Sequence, residues 1–220
     1  MPNTDHPYLE VAAICRQYGA TLVAVSKTRT LREIENIYQM GQRIFAENRV
    51  QELLAKAPVM PRDIEWHLIG HLQTNKVRSL LPYVNCIQSL DRFSLWETIE
   101  EEASRISKPV RCLLQIKVAQ EETKFGWDYN ELIDVLESIP TQEFTFVRLE
   151  GIMGMASLTE DTAQVRQEMR QLRTYFDQLK AKYFAQQPEF TTVSMGMSGD
   201  YLIALEEGST MVRIGSLLFP

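Results

Sequence analysis

A lysine amine stands at the end of a short apolar run, where it could do covalent chemistry. Residues 21–26 predict a buried strand, and Lys27 follows at its C-terminal end. A lysine at such a buried or rim position would lose hydration, which disfavours the ammonium form and makes the amine a nucleophile towards aldehydes. The alternative is an ordinary lysine that ends a strand and reaches into water. This stretch alone favours the ordinary lysine, so the other strand ends must decide.

Two loops near the C-terminus combine glycine with serine and indicate a phosphate site. The first covers residues 194–200 and runs into a predicted helix, and the second covers residues 213–216 on the neighbouring strand. Glycine lets the backbone approach an anion, serine hydroxyls donate hydrogen bonds, and helix N-termini favour negative charge. Single glycines are also common in ordinary turns. Two adjacent loops with the same chemistry nevertheless favour phosphate binding.

A lysine amine opposite a phosphate site suggests pyridoxal 5'-phosphate (PLP), held as a Schiff base. Arg213 would then face the pyridine nitrogen of the cofactor. Arginine does not give up its proton, so this nitrogen would stay unprotonated. The ring would be a weaker electron sink than one paired with a carboxylate, and carbanion chemistry would be limited.

Three other polar residues at predicted strand ends each have two interpretations. Asn48 could contact a ligand or cap the helix that begins near Arg49. His67 could face the rim or be a core histidine with satisfied hydrogen bonds. His67 and His71 are four residues apart, as in zinc proteases, but that motif needs a helix and a glutamate after the first histidine. Here the segment predicts a strand that runs into Gly70, so we predict no metal site.

The elements that must position these residues alternate strictly. Eight predicted strands are each separated from the next by a helix, and one extra helix precedes the first strand. Such alternation requires right-handed crossovers and a parallel sheet. Eight units without a linker favour an α/β fold of the (β/α)8 TIM-barrel type, in one domain over residues 1–220. Strand ends share one rim of this fold, and sites sit there. The predicted strands are 21–26, 43–46, 64–69, 83–88, 110–118, 146–153, 190–194 and 211–214.

Composition restricts the class of protein. The chain has 220 residues, 45% of them hydrophobic, and a net charge of -6, which argues against a general nucleic-acid binder. Its three widely spaced cysteines favour reduced, buried thiols in a cytoplasmic protein over a disulfide framework or a zinc site. We see no signal-peptide pattern and no apolar run long enough to span a membrane. We expect a monomer, because no hydrophobic outer face stands out.

Several short segments form a specific pattern, and the resemblance that they carry extends from about Leu9 to Phe219. They are VSKT (25–28), FAEN (45–48), VQE (50–52), WHLIGHLQ (66–73), NK (75–76), KFG (124–126), SMGMS (194–198) with Asp200, and GSTMVRIG (208–215). Together they resemble the YggS/PROSC-type pyridoxal phosphate homeostasis proteins, relatives of the N-terminal barrel of alanine racemase, and most of all the cyanobacterial members. Two departures are Ala46-Glu-Asn-Arg49, where Gly-Glu-Asn-Tyr is usual, and Pro220, where a glycine is common.

The resemblance implies a barrel that holds PLP on Lys27, with Arg213 at the pyridine nitrogen and the phosphate between the last two loops. Members of the family look like PLP carriers or buffers that affect vitamin B6 and amino-acid balance, which implies PLP-requiring apo-enzymes as partners. No catalytic residue is assigned. The candidate cofactor-binding residues are Lys27, Asn48, His67, Ser194, Met195, Ser198, Arg213, Gly215 and Ser216.

Catalysis would need a further group. Racemase chemistry requires a second base opposite the lysine, which in alanine racemase comes from an additional β domain and a partner subunit. Only a few residues follow the last predicted strand here, so we expect a protein that holds PLP without robust catalysis. Two alternatives stay open. One is a PLP-dependent, racemase-like enzyme that uses His67, and the other is a cofactor-free Schiff-base aldolase.

Overall fold

Eight parallel strands close into a barrel within residues 6–119, 125–139 and 144–219, the part of the chain that this computed structural model describes. The strands follow one another in chain order around the barrel, and the last pairs with the first. They are β1 (Thr21–Val25), β2 (Ile44–Glu47), β3 (Glu65–Leu68), β4 (Cys86–Leu90), β5 (Val110–Gln115), β6 (Val147–Met153), β7 (Thr192–Ser194) and β8 (Met211–Ile214). The predicted (β/α)8 barrel is therefore confirmed.

Helices surround the barrel, and one of them precedes the first strand, as predicted. They are α1 (Pro7–Gln17), α2 (Leu31–Gln39), α3 (Val50–Lys56), α4 (Val77–Leu80), α5 (Phe93–Arg105), α6 (Tyr129–Ser138), α7 (Thr162–Lys182) and α8 (Tyr201–Glu206). A short 3-10 helix at Thr74–Lys76 leads into α4. Several begin at side chains that satisfy free backbone N–H groups. Thr30 and Glu33 form a reciprocal capping box at α2, and Asp161 accepts two backbone N–H groups at α7.

Each strand has one face towards the helices and one towards the barrel interior. In β1, Leu22 and Ala24 belong to the large apolar cluster that the helices cover. Val23 and Val25 instead form a small separate cluster with Ala46. Because successive side chains of a strand alternate, the interior row of β1 continues beyond Val25 to Lys27. Alternation thus aims this lysine at the mouth of the barrel.

Two predicted strands, the fourth and the fifth, differ from the observed ones by three residues at one end. The segment predicted as a strand over 83–88 forms β4 only from Cys86, because the N–H groups of Tyr83 and Val84 both donate to the Leu80 carbonyl and close a turn. The strand then continues to Leu90. β5, predicted over 110–118, ends at Gln115, beyond which residues 115–117 exchange backbone hydrogen bonds with Trp127. The later end of β4 places Asp91 at the rim.

The three cysteines, Cys15, Cys86 and Cys112, are free and buried, as predicted. Burial raises the pKa of the Cys86 thiol to about 12, so it stays protonated at neutral pH. Among the described residues, no helix combines the length and apolar character needed to cross a membrane.

Candidate functional site

A cavity of about 340 Å³ opens at the C-terminal ends of the strands. This is the rim where sites occur in this fold. Three of the residues predicted to bind a cofactor share its wall: Lys27, Asn48 and Arg213. The complete lining is Val25, Lys27, Asn48, Ile69, Gly70, His71, Gln115, Phe125, Met155, Met197 and Arg213.

Lys27 reaches the cavity from just beyond β1. The residue is exposed, so the predicted loss of hydration is wrong: the side chain leaves a turn at the open mouth of the barrel instead of the strand core. Its amine makes no hydrogen bond or ion pair with any residue in the described ranges. The amine is therefore free to meet a ligand.

Arg213 brings an unpaired positive charge into the barrel. The residue is only 3% exposed and lies on β8. Its guanidinium donates to Ser194 Oγ at 2.6 Å and to the Gly154 carbonyl at 2.9 Å, and it forms no ion pair within the described part of the chain. Burial lowers the pKa of Arg213 to about 10, with the Asp200 charge acting in the opposite direction, so the group is still charged at neutral pH. An unpaired buried cation is costly, which favours a ligand that offers negative charge or a lone pair.

His67 lies beneath this arginine and does not line the cavity. Ser194 Oγ, which accepts from Arg213, donates to Gln88 Oε1 at 2.7 Å, and Gln88 Nε2 lies 2.8 Å from His67 Nδ1. Burial, together with the charge of Arg111, lowers the pKa of His67 to about 3, so the ring is neutral. His67 is thus a buried core residue and does not face the rim, but its Nε2 has no partner among the described residues, so the expectation of satisfied hydrogen bonds is wrong.

The loops after β7 and β8 lie side by side, as the phosphate hypothesis requires. The Gly215 N–H donates to Ser198 Oγ at 3.3 Å, so an anion would have to replace this bond. A Cβ on Gly215 would come within 3.2 Å of the Val25 carbonyl, so glycine permits this close approach. Ser216 is exposed, and none of these three residues lines the cavity.

Two further features of the β7 loop differ from the sequence-based expectations. The side chain of Met195 packs in the outer apolar core, because alternation turns it away from Ser194 and out of the barrel. The helix that follows, α8, has only six residues, and the Asp200 carboxylate already accepts the Met197 N–H at 2.6 Å. The cavity wall on this side is Met197.

Asn48 does not cap the next helix. The N-cap of α3 is Arg49, which makes no capping hydrogen bond through its side chain. The backbone of Asn48 instead passes so close to Gly70 that a Cβ there would lie 2.1 Å from the Asn48 carbonyl oxygen. The capping interpretation is therefore wrong, and the Asn48 side chain remains as part of the cavity wall.

Sequence reasoning missed a histidine–aspartate pair on the cavity wall. His71 Nδ1 lies 2.7 Å from Oδ2 of the buried Asp91, and its ring stacks on Phe125 with centroids 3.8 Å apart. A carboxylate only accepts, so His71 Nδ1 carries the proton of this bond. The predicted strand ended at residue 88, so Asp91, which follows the true end of β4 at Leu90, was not recognised as a residue of the rim. Lys124, from the segment that carries the family resemblance, lies outside the described residues.

The closed barrel, with a lysine and an arginine at its mouth, has known counterparts. A family model described as alanine racemase, N-terminal domain, matches residues 3–220, and the chain belongs to this family. Among curated relatives, the pyridoxal phosphate homeostasis protein of Aquifex aeolicus is 40% identical over 201 residues, which cover 91% of this chain and 86% of that protein. Within the larger family, the chain thus belongs with the pyridoxal phosphate homeostasis proteins.

Solved structures of related proteins have the same fold as this chain. PipY of Synechococcus elongatus without PLP has a TM-score of 0.89 at 33% identity, over 98% of this chain and all of that one. The structure described as PipY with PLP bound has a TM-score of 0.85 at 32% identity, with the same coverage. Alanine racemase from Bartonella henselae, at 19% identity and a TM-score of 0.71 over 95% of this chain and 57% of that one, shows the fold alone. Because the Aquifex relative is more similar than PipY, a cyanobacterial origin stays a prediction.

Proposed function

We propose that the chain binds PLP as a Schiff base on Lys27 and serves PLP, vitamin B6 and amino-acid homeostasis inside the cell. The observation that carries the proposal is the pairing of a free lysine amine with a buried, unpaired guanidinium in one cavity. A structure of the relative PipY is described as having PLP bound, and curated relatives are named pyridoxal phosphate homeostasis proteins.

The residues present fit this cofactor. Lys27 supplies the amine for the aldehyde, Arg213 a donor for the pyridine nitrogen, and Asn48 an amide beside both. Ser198, Gly215 and Ser216 supply a hydroxyl and backbone N–H groups for the phosphate at the usual phosphate loops of this fold. PLP, when bound, supplies an electron sink. A protonated Arg213 keeps the pyridine nitrogen unprotonated, and this weakens the sink.

The proposal includes holding the cofactor in preference to turning over substrate. His67, the base considered from the sequence, has a pKa of about 3 and no access to the cavity, so it cannot exchange protons there near neutral pH. We further propose a cytoplasmic monomer with a single domain over residues 1–220 that delivers PLP to apo-enzymes. Three free, buried cysteines fit a reducing compartment.

Visible absorbance tests the proposal. We expect the purified protein to absorb as a PLP Schiff base and Lys27→Ala to lose this band and the adduct that borohydride fixes on residue 27. Lys182→Ala, which removes an exposed lysine on α7, is the matched control and should keep both. A colourless protein that PLP cannot reconstitute would refute the proposal, as would a fixed adduct in Lys27→Ala.

A second candidate, a racemase-like enzyme, is favoured by one observation, the His71–Asp91 pair on the cavity wall. A base in this position could exchange the α-proton of an amino acid. The measurement is deuterium incorporation at the α-carbon of added amino acids, followed by mass spectrometry. Exchange that is lost in His71→Gln but retained in His67→Asn would support this candidate, and no exchange in the wild type would remove it.

A further inference from the structure

An ionic cluster with two buried members and one partly exposed member lies behind the lysine. It consists of Glu47, Glu52 and Lys56, and none of these side chains lines the cavity. The Lys56 ammonium donates to Glu47 Oε1 at 2.7 Å, to Glu52 Oε2 at 3.2 Å and to the Ser26 carbonyl at 2.8 Å. These three bonds use all of its donors. Glu47 is fully buried, and burial raises the pKa of its carboxyl. Such a cluster is expensive to bury, so its presence is weak evidence for a stabilising role.

The cluster holds the backbone on both sides of Lys27. On one side, Ser26 Oγ donates to Glu47 Oε1 at 2.7 Å, and the Ser26 carbonyl accepts from Lys56. On the other side, the Thr28 N–H donates to Glu52 Oε2 at 2.7 Å. The residues that flank the lysine are thus bonded to side chains from β2 and α3, whereas the amine itself is free.

The turn that carries Lys27 is strained. The Arg29 N–H donates to the Ser26 carbonyl at 3.0 Å, so Lys27 and Thr28 are the central residues of a turn. Thr28 has φ of 62°, a left-handed conformation that is rare for a β-branched residue. Such a conformation is costly and persists only where the surroundings over-determine it. The bond from Thr28 N–H to the Glu52 carboxylate supplies part of that constraint.

We propose that Glu47, Glu52 and Lys56 are positioning residues that fix the Ser26–Arg29 turn so that Lys27 points into the cavity. The inference rests on the proposed function, because the amine must meet an aldehyde there. The cluster acts on Lys27 through the backbone and touches no reacting atom. It therefore governs how fast the amine attaches to the cofactor, and not how tightly the cavity holds a compound without an aldehyde.

The sharpest variants are at Glu52, which is partly exposed and can change without leaving a buried charge unpaired. Glu52→Leu removes the acceptor for Thr28 N–H, and Glu52→Gln keeps an oxygen there without the charge. Glu100→Leu is the matched control, because Glu100 also accepts backbone N–H groups (of Thr145, Phe146 and Val147), at the opposite end of the barrel. Lys56→Met is a second test of the cluster, provided that it folds.

Two compounds separate attachment from binding. Protein freed of cofactor is mixed with PLP, and the rise of visible absorbance gives the rate of attachment; calorimetry with pyridoxine 5'-phosphate, which lacks the aldehyde, gives affinity alone. We expect Glu52→Leu to slow attachment about tenfold to a hundredfold, with the affinity for pyridoxine 5'-phosphate changed less than about twofold. Glu52→Gln should recover most of the rate, and Glu100→Leu should match the wild type in both. Hydrogen exchange at Thr28 N–H should be faster in Glu52→Leu without any ligand.

The outcomes are distinct. Attachment at the wild-type rate in Glu52→Leu overturns the inference. So does a parallel loss of rate and affinity, which would indicate general damage to the site. If the wild-type protein binds neither compound, the proposed function fails and the role of the cluster in cofactor attachment fails with it. Thr28 exchange then still shows whether the cluster holds the turn.

Discussion

Arg213 belongs to a series of hydrogen bonds in which each donor and each acceptor is fixed. Its guanidinium only donates, so Ser194 must accept from it and donate onward to the Gln88 oxygen. The Gln88 nitrogen is then left to donate to His67 Nδ1, which requires a neutral ring with its proton on Nε2. Each member of the series has one orientation, and the guanidinium is thereby fixed at the floor of the cavity.

Replacing Arg213 by glutamine removes the charge and keeps an amide that can still donate to Ser194. We expect the affinity for PLP to fall about tenfold to a hundredfold, since a hydrogen bond from a charged group contributes roughly 1.5–3 kcal/mol. We also expect the spectrum of the bound cofactor to shift. Equilibrium dialysis and absorbance measure the two effects. Arg111→Gln, on β5 and bonded to Glu65, is the control that should bind normally. If Arg213→Gln keeps the affinity and the spectrum of the wild type, Arg213 does not contact the pyridine nitrogen of PLP.

His67 makes stability depend on pH. Its pKa is about 3 in the folded protein, against an ordinary value of 6.5. Between these values the unfolded chain binds a proton that the folded chain does not, so the free energy of unfolding falls as the pH drops below 6.5 and is fully restored above it. The slope for one proton is about 1.4 kcal/mol per pH unit.

His67→Asn keeps an acceptor near the Nδ1 position and removes the titrating group. We expect this variant to have a lower free energy of unfolding at pH 7 and a shallower decline between pH values of about 6 and 4. Urea unfolding at a series of pH values measures both quantities. Parallel curves for the two proteins would mean that His67 titrates normally in the folded state.

For single residues, the sequence predicts a site correctly where the side chain has distinctive chemistry and lies at the end of a strand. Lys27 and Arg213 meet both conditions, and both line the cavity. His67 and His71 look alike in the sequence, and only the register of β3 puts the first inside the barrel and the second on the cavity wall. Met195 shows the same effect of alternation. It comes one residue after Ser194, so its side chain points out of the barrel into the outer apolar core.

At the scale of elements, existence was easier to predict than boundaries. The eight strands follow from apolar runs between turn residues, but Tyr83 and Val84 resemble the start of a strand as much as a turn. A long-range contact decides the matter. Asn85 Oδ1 accepts the Trp66 N–H at 2.8 Å, and the Asn85 N–H donates to the Trp66 carbonyl, which fixes where β4 joins β3. Such a contact has no local signal in the sequence.

The N-cap of α7 gives a prediction about one element. Asp161 accepts the N–H groups of Ala163 and Gln164, so Asp161→Ala should lower the free energy of unfolding by about 1 kcal/mol. Asp177→Ala on the same helix removes only an exposed pair with Arg173 and should cost less than about 0.5 kcal/mol. Chemical denaturation measures the difference. Equal effects of the two substitutions would show that the cap does not stabilise the helix.

At the scale of the whole molecule, closure of the barrel creates the site. β8 pairs with β1 in the register Leu22–Val212 and Ala24–Ile214, which brings residues from the two ends of the chain to one rim. Alternation then gives both strands an interior row that ends at the cavity. The amine and the guanidinium can share a ligand only while the barrel is closed, so binding and global stability are linked.

Loading the cofactor should therefore raise the melting temperature. A ligand at one hundred times its Kd stabilises the folded state by about 2.7 kcal/mol, which for a chain of this size corresponds to roughly 5–10 °C. Lys27→Ala should lose most of the shift because it loses the covalent bond, whereas pyridoxine 5'-phosphate should give the wild type and Lys27→Ala similar, smaller shifts. Differential scanning calorimetry with and without each compound measures them. Equal melting temperatures for loaded and unloaded protein would mean that cofactor binding does not depend on the closed barrel. The claim that Lys27 and Arg213 share one ligand would then be wrong.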